Sequence, residues 1–132
     1  MGGQVLPRAV RIRRRPEFER VYSTGTRVHG RFMTLFVLQS GRPDTRLGVA
    51  ATRKIGSAVA RNRAKRLARE LFRRRKVAAG RDIVIVPRRE MLDAPFATLE
   101  IDYQKTLDRA DRHDPSPERH RRGGRHRGAE SV

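Results

Sequence analysis

The first periodic segment of the chain is a short helix. Pro16 suits the first turn of a helix, and Phe18, Val21 and Tyr22 follow at the i, i+3 and i+4 spacing of one helix face. The pattern stops at Gly25, a residue that commonly ends a helix. The sequence therefore predicts a short first helix with an aromatic stripe.

Two apolar segments after this helix have the period of strands. Between Gly30 and Gln39 apolar side chains occupy both alternating faces, which is typical of a central strand covered on both sides. A second strand is predicted from Arg46 to Arg53, where Gly48 allows another group to approach closely. Because the turn signal GRPD separates the two segments, a β-hairpin is the simplest connection between them.

The rest of the periodic region predicts a long helix, a strand and a last helix. Gly56 breaks the chain, and Ser57 is a suitable N-cap for a helix that continues to about Arg75. The β-branched run DIVIVP, residues 82–87, predicts a short strand, and Pro95 then opens an amphipathic helix. The predicted order is helix, strand, strand, helix, strand, helix.

Composition divides the chain of 132 residues into three parts. Residues 1–15 end in three consecutive arginines and predict an extended basic arm, which raises the rate of association with a polyanion. Residues 16–110 contain every periodic segment and predict one α/β domain, to which the binding surfaces described below belong. Residues 111–132 have almost no apolar side chains to offset the entropy of ordering, so we expect a disordered basic tail.

The charge of the chain points to a polyanionic partner. The formal net charge is +18, and 28 of the 32 basic residues are arginine, whose planar fork binds phosphate through two hydrogen bonds. No apolar run approaches the roughly 20 residues of a membrane span, and the N-terminus lacks the apolar part of a signal peptide. The charge by itself suits nucleic acid or an anionic membrane surface. Of these two we expect nucleic acid as the partner, with no membrane, and a cytoplasmic protein.

The sequence offers no self-contained active site. It has no cysteine, which excludes disulfides, a thiol nucleophile and a Cys-based zinc site. The tail histidines His113, His120 and His126 do not have the compact spacing of metal ligands. Since neither a Ser-His-Asp set nor a carboxylate pair occurs locally, we assign no catalytic and no metal-binding residue.

The long helix is the strongest candidate for a binding surface. At about 100° per residue, its apolar residues share one face and its cations gather in an opposite arc of about 100°. Like charges four residues apart destabilise a helix by a few tenths of a kcal/mol, so a cationic arc favours polyanion binding over simple solvation. The arc contains Asn62, Lys65, Arg66, Arg69 and Arg73, with Arg61 and Arg63 on its flanks.

The finer spacing within this helix resembles the signature of the bacterial ribonuclease P protein subunit. The segment KIGSAVARNRAKRLARELFR, residues 54–73, contains the Arg-Asn-Arg core followed by Lys-Arg that marks that family, and weaker similarity covers residues 8–110. The resemblance implies an α+β fold, a two-layer α/β sandwich with a central β-sheet. It also implies a left-handed βαβ crossover, against the usual right-handed rule.

The same resemblance implies a function as the protein component of an endoribonuclease whose chemistry is carried by its RNA. That enzyme removes the 5′ leader of precursor tRNA, with magnesium held mainly by the RNA subunit, no organic cofactor and one protein per RNA. The implied contacts with the catalytic RNA are Arg61, Asn62, Arg63, Lys65 and Arg66, and Arg69 continues the same arc. The implied leader-binding residues are Phe18, Tyr22, Arg53 and Lys54.

One position departs from the family, and other interpretations remain open. An aromatic residue of the family's first strand is replaced here by Leu35, so we expect a stacking platform that is not fully aromatic. Phe18 and Tyr22 could pack in the core, and Asn62 could simply be solvated. A structural ribosomal-type RNA-binding protein would explain the charge, and a DNA-binding module would use the long helix but lacks a neighbouring scaffold helix.

Overall fold

The structure is a computed structural model that describes residues 10–75 and 79–113. Within these ranges the chain forms three α-helices, four strands and one 3-10 helix. In chain order they are α1 (Arg15–Thr24), β1 (Thr26–His29), β2 (Met33–Gln39), β3 (Arg46–Val49), α2 (Ala58–Arg74), β4 (Arg81–Pro87), the 3-10 helix Arg89–Asp93 and α3 (Phe96–His113).

The boundaries of the predicted domain, residues 16–110, stay a prediction. Most of the predicted basic arm, residues 1–9, and the tail from residue 114 onward lie outside the described residues. The helix α3 runs to His113, three residues beyond the predicted end of the domain. The helix extends this far because buried Leu107 and Ala110 still hold its last turns against the sheet.

The four strands form one mixed sheet in the order β1-β2-β4-β3. The predicted hairpin between the strands at Met33–Gln39 and Arg46–Val49 is therefore wrong. Instead, β2 forms an antiparallel hairpin with β1, a strand that the sequence analysis missed, and β3 pairs in parallel with β4. Because β2 and β4 are apolar on both faces, they take the two central positions and leave the edges to the shorter strands.

Local signals set the starts of α1 and α2 as predicted. The Ser57 Oγ accepts a hydrogen bond from the Ala60 N–H at 3.2 Å, and Gly56 precedes it with a φ of +136°, which favours glycine. Pro16 lies in the first turn of α1, and the helix ends at Gly25. The N-cap and the helix boundaries expected from these residues are confirmed.

The helices pack on both faces of the sheet. The helices α2 and α3 bury one face, where Leu35 and Ile85 meet Leu71 and Tyr103 in the main core. The first helix, α1, covers part of the opposite face through Val21. The α+β fold with a central β-sheet is confirmed, and α1 adds a helix on the face opposite α2 and α3. The segment β3-α2-β4 is its parallel βαβ unit, and the left-handed crossover remains a prediction.

A buried ion cluster joins α1 to the two parallel strands. The Arg46 guanidinium donates to both carboxylate oxygens of Asp82, at 3.0 and 2.8 Å, and to Glu17 Oε2 at 3.2 Å. Asp82 is 1% exposed, and its hydrogen bonds raise the pKa of Arg46 above its ordinary value. The other oxygen of Glu17 accepts from the backbone N–H groups of Arg13 and Arg14. This cluster fixes the start of α1 relative to β3 and β4.

Candidate nucleic-acid interface

The helix α2 separates an apolar face from a cationic one. Ala64 and Leu71 are fully buried against the sheet, whereas Arg63 and Arg66 are exposed to solvent together with Asn62. The predicted amphipathic arrangement is confirmed. We call Asn62, Arg63 and Arg66 the exposed strip of α2.

Two of the predicted cations of this helix lie on a different side. Lys65 and Arg69 are half-buried and, with Arg11 and Arg13, line a pocket of about 270 Å³. Burial, and then the positive charges of Arg11 and Arg66, lower the pKa of Arg69 below its ordinary value. The predicted arc is therefore divided, and only part of it faces solvent.

One predicted RNA contact also has a structural partner. The Arg61 Nη1 donates to the carbonyl oxygen of Gly56 at 3.0 Å, and Arg61 is half-buried. This bond links the second turn of α2 to the glycine that precedes its N-cap. Arg61 thus helps to fix the start of the helix, and its remaining N–H groups stay available for other acceptors.

An open cleft lies beside α1. Its volume is about 690 Å³, and its walls include Phe18 and Tyr22 from α1, the chain from Val49 to Thr52, and Lys65 from α2. Arg13 and Arg15 also line it, close to the basic end of the arm. The cleft thus combines aromatic rings with cations, which is the composition of surfaces that bind single-stranded nucleic acid.

The predicted leader-binding set is only partly brought together. Phe18 and Tyr22 share the cleft, but its lining does not include Arg53 or Lys54, which lie exposed on the turn that follows the β3 segment. Lys65 lines the cleft wall and supplies a positive charge there that the sequence had placed at Arg53 and Lys54. Sequence position alone could not show this, because the turn carries Arg53 and Lys54 past the end of the cleft.

The aromatic platform contains a residue that the sequence analysis missed. The ring of Tyr22 lies 4.8 Å from that of Phe36, edge to face, and 6.2 Å from that of Phe18. Leu35 is fully buried on the opposite face of the sheet, so the expectation that it interrupts the platform is wrong. The period of two along β2 puts Phe36, and not Leu35, on the face of α1. Tyr22 is 36% exposed and accessible to a base.

Gly48 allows Phe18 to lie directly against β3. A Cβ atom at this position would be 2.9 Å from Phe18 Cε1 and 3.0 Å from the Cβ of Ile12. Both separations are closer than carbon atoms normally approach. The close approach that the sequence predicted at Gly48 is confirmed, and the approaching group is the ring at the floor of the cleft.

The described residues do not form a metal site of their own. In residues 10–75 and 79–113, no three His, Asp or Glu side chains are close enough together to hold a metal ion. The same ranges contain no helix with the length and apolar character needed to cross a membrane. The tail histidines His120 and His126 lie outside the described residues.

Comparison with known proteins identifies the family. A family model described as Ribonuclease P matches residues 6–111. The chain belongs to the ribonuclease P protein family. An RNA partner within a ribonucleoprotein follows from this membership, and the alternative of a structural ribosomal-type protein is not favoured.

Individual members of the ribonuclease P family are similar to this chain over most of their own length. A ribonuclease P protein component of Oleidesulfovibrio alaskensis is 39% identical over 107 residues, covering 78% of this chain and 85% of the relative. One from Desulfovibrio desulfuricans is 40% identical over 117 residues, covering 84% and 90%. The solved ribonuclease P protein of Thermotoga maritima has a TM-score of 0.68 at 32% identity, covering 75% of this chain and 96% of that chain.

Proposed function

We propose that this chain binds the catalytic RNA of ribonuclease P and the 5′ leader of precursor tRNA, and so promotes endonucleolytic removal of the leader. The observation that carries the proposal is the division of α2 between two surfaces. The exposed strip, Asn62, Arg63 and Arg66, faces solvent, whereas Lys65 on the same helix turns toward the aromatic cleft. One helix can therefore contact two RNA segments at once.

The exposed strip suits a folded RNA. Its two arginines, Arg63 and Arg66, have no ion-pair partner among residues 10–75 and 79–113, so their guanidinium groups are free to bind phosphate. Asn62 precedes them in the first turns of the helix and can donate or accept a hydrogen bond. Arg61 belongs to this surface through the N–H groups not used by Gly56.

The cleft suits a single strand of varied sequence. Bases of any kind stack on aromatic side chains, each contributing about 1 to 3 kcal/mol, while nearby cations bind the backbone. Phe18 and Tyr22 offer the rings that line the cleft, and Phe36 packs beside Tyr22. Lys65 and Arg13 offer the charges. Arg53 and Lys54 lie on the next turn and would bind the strand outside the cleft.

The RNA subunit carries the chemistry in this proposal. Magnesium held mainly by that RNA supplies the activation of water and the stabilisation of the leaving oxygen. The described residues of this chain present a cationic surface, which fits RNA binding. The chain's own contribution is to hold the precursor and reduce repulsion between phosphates. One protein per RNA, in the cytoplasm, completes the proposal.

A reconstitution assay tests the proposal. Purified chain is combined with the cognate ribonuclease P RNA at low magnesium, and release of the 5′ leader is followed. We expect faster cleavage with the protein than without it. Correctly folded RNA that gains nothing from the protein would refute the proposal.

Two variants separate the proposed surfaces in the same assay. Arg66→Ala is expected to weaken assembly with the catalytic RNA and to reduce the salt dependence of assembly. Tyr22→Ala is expected to weaken binding of precursor tRNA while leaving leaderless tRNA unaffected, because the lost stacking involves only the leader. An equal loss for both tRNAs would contradict the placement of the leader in the cleft.

A further inference from the structure

The start of α1 contains a carboxylate that lies beside the cleft without lining it. Residues on both sides of Glu17 in the sequence line the cleft, namely Arg13, Arg15, Phe18 and Glu19. Glu17 itself does not belong to that lining. Its side chain, 34% exposed, is directed to the ion cluster and forms a salt bridge with Arg46. Glu17 can therefore act on the cleft only through the residues that it holds in place.

The carboxylate of Glu17 joins two parts of the chain. Its Oε1 accepts from the backbone N–H groups of Arg13 and Arg14, at 3.3 and 3.4 Å. Its Oε2 accepts from Nη1 of Arg46 at 3.2 Å. One side chain thus connects the residues that lead into α1, and the first turn of that helix, to the strand β3.

Two consecutive residues of α1 are in register with β3. Arg46 and Gly48 are two apart on this strand, so they lie on the same face of the sheet. Glu17 binds Arg46. The next residue, Phe18, lies against Gly48, where an added Cβ would be 2.9 Å from its ring. Tyr22 follows Phe18 by about one helical turn, so the place of its ring depends on the same register.

We infer that Glu17 is a positioning residue for the 5′ leader, because it sets the register of α1 on β3 and thereby the place of Phe18 and Tyr22 in the cleft. A binding site is effective when hydrogen bonds from a supporting layer fix the groups that touch the ligand. The inference rests on the proposed function, since it concerns the cleft proposed to bind the leader.

The substitution Glu17→Gln separates position from charge, because the two effects have opposite signs. Removing a carboxylate makes the chain more positive, and charge alone would then strengthen RNA binding. Loss of the register would weaken binding of the leader. The amide keeps the size of the side chain, but its NH2 group cannot accept from Arg46. Since Arg46 keeps both hydrogen bonds to Asp82, we expect the variant to fold.

The matched control is Glu100→Gln on the opposite face of the sheet. Glu100 accepts from Arg74 Nε at 3.1 Å and so joins α3 to α2. This control removes the same charge and an ion pair between two elements, without touching α1. For each variant, holoenzyme is reconstituted at a protein concentration that saturates the catalytic RNA. It is then titrated with precursor tRNA and with leaderless tRNA.

We expect Glu17→Gln to bind leaderless tRNA as the wild type does and precursor tRNA several-fold more weakly, with KM raised and kcat unchanged. Glu100→Gln should bind both tRNAs as the wild type does. Precursor binding by Glu17→Gln that is as tight as in the wild type, or tighter, would overturn the inference. An equal loss for both tRNAs, or an equal loss for Glu100→Gln, would overturn it as well.

A double-mutant cycle shows whether Glu17 acts through the aromatic rings. In a Tyr22→Ala background, one of the rings that Glu17 positions is already absent. Glu17→Gln should therefore weaken precursor binding less in this background than in the wild-type chain. Fully additive losses would mean that Glu17 acts independently of Tyr22, and they would contradict the positioning role.

Failure of the inference can be distinguished from failure of the proposed function. If the wild-type chain does not stimulate cleavage of precursor tRNA, both are overturned. If it stimulates cleavage and Tyr22→Ala loses leader-dependent binding, the proposed function stands. A wild-type result for Glu17→Gln then removes the positioning role alone.

Discussion

Replacing Asp82 by Asn tests the ion cluster that positions α1 over the sheet. The substitution keeps the size of the side chain but removes the charge that faces Arg46, whose side chain is 11% exposed. Breaking a buried ion pair costs about 3 to 5 kcal/mol, because it leaves a buried charge without its partner. Since Glu17 still lies 3.2 Å from Arg46, we expect a loss near the lower limit, about 3 kcal/mol.

Urea unfolding at fixed salt measures this loss, with Asp44→Asn as the matched control. The control breaks the ion pair of Arg42 and Asp44 at 3.4 Å, whose side chains are 46% and 36% exposed, and should cost less than about 1 kcal/mol. At about 4 to 8 °C per kcal/mol, Asp82→Asn should also lower Tm by more than about 10 °C. Equal free energies of unfolding for the two variants would refute the reasoning.

Two further predictions concern the cleft and its support. Gly48→Ala places a Cβ 2.9 Å from Phe18 and should cost about 1 to 3 kcal/mol while weakening leader binding. Gly41 has a φ of +77° and nothing within 4 Å, so Gly41→Ala should lower stability through backbone strain but leave leader binding unchanged in the same titration. Burial opposes the shift, but hydrogen bonds from the backbone of Arg13 and Arg14 and from Arg46 lower the pKa of Glu17 below 4.5. The contribution of Glu17 to the free energy of unfolding is therefore present above about pH 4.5 and lost as pH falls through its lower folded-state pKa. In acid denaturation, Glu17→Gln should make the free energy of unfolding depend less on pH. An unchanged acid transition would contradict this assignment.

The helices and strands whose apolar residues recur regularly over a long segment were predictable from the sequence. The three helices and the strands at Met33–Gln39 and Arg81–Pro87 follow from apolar spacing, caps and β-branched runs. The strand Thr26–His29 was missed because it has only four residues and only Thr26 and Val28 point inward. Two inward-pointing residues are too few to distinguish the alternating pattern of a strand from the pattern of a turn.

The candidate site was predictable in its residue types but not in its grouping. The Arg-Asn-Arg motif and the pair Phe18 and Tyr22 were found from spacing and resemblance. Phe36 was missed, since both faces of its strand are apolar and only the docking of α1 shows which face meets Tyr22. Lys65 was predicted among the contacts with the catalytic RNA, and that contact stays a prediction. The sequence could not show that Lys65 also lines the cleft, because this depends on which flank of α2 lies against the cleft wall.

The sequence by itself determined the helices, the two central strands, the amphipathic character of α2 and the positive charge of the surface that binds the partner. These properties are local, since each is recorded in the spacing of residues within one segment. The tertiary structure alone decided that β4 lies between β2 and β3, that Arg46 binds Asp82, and that Tyr22 meets Phe36. Those contacts join residues far apart in the chain, and their geometry depends on how the helices pack on the sheet, which no single segment specifies.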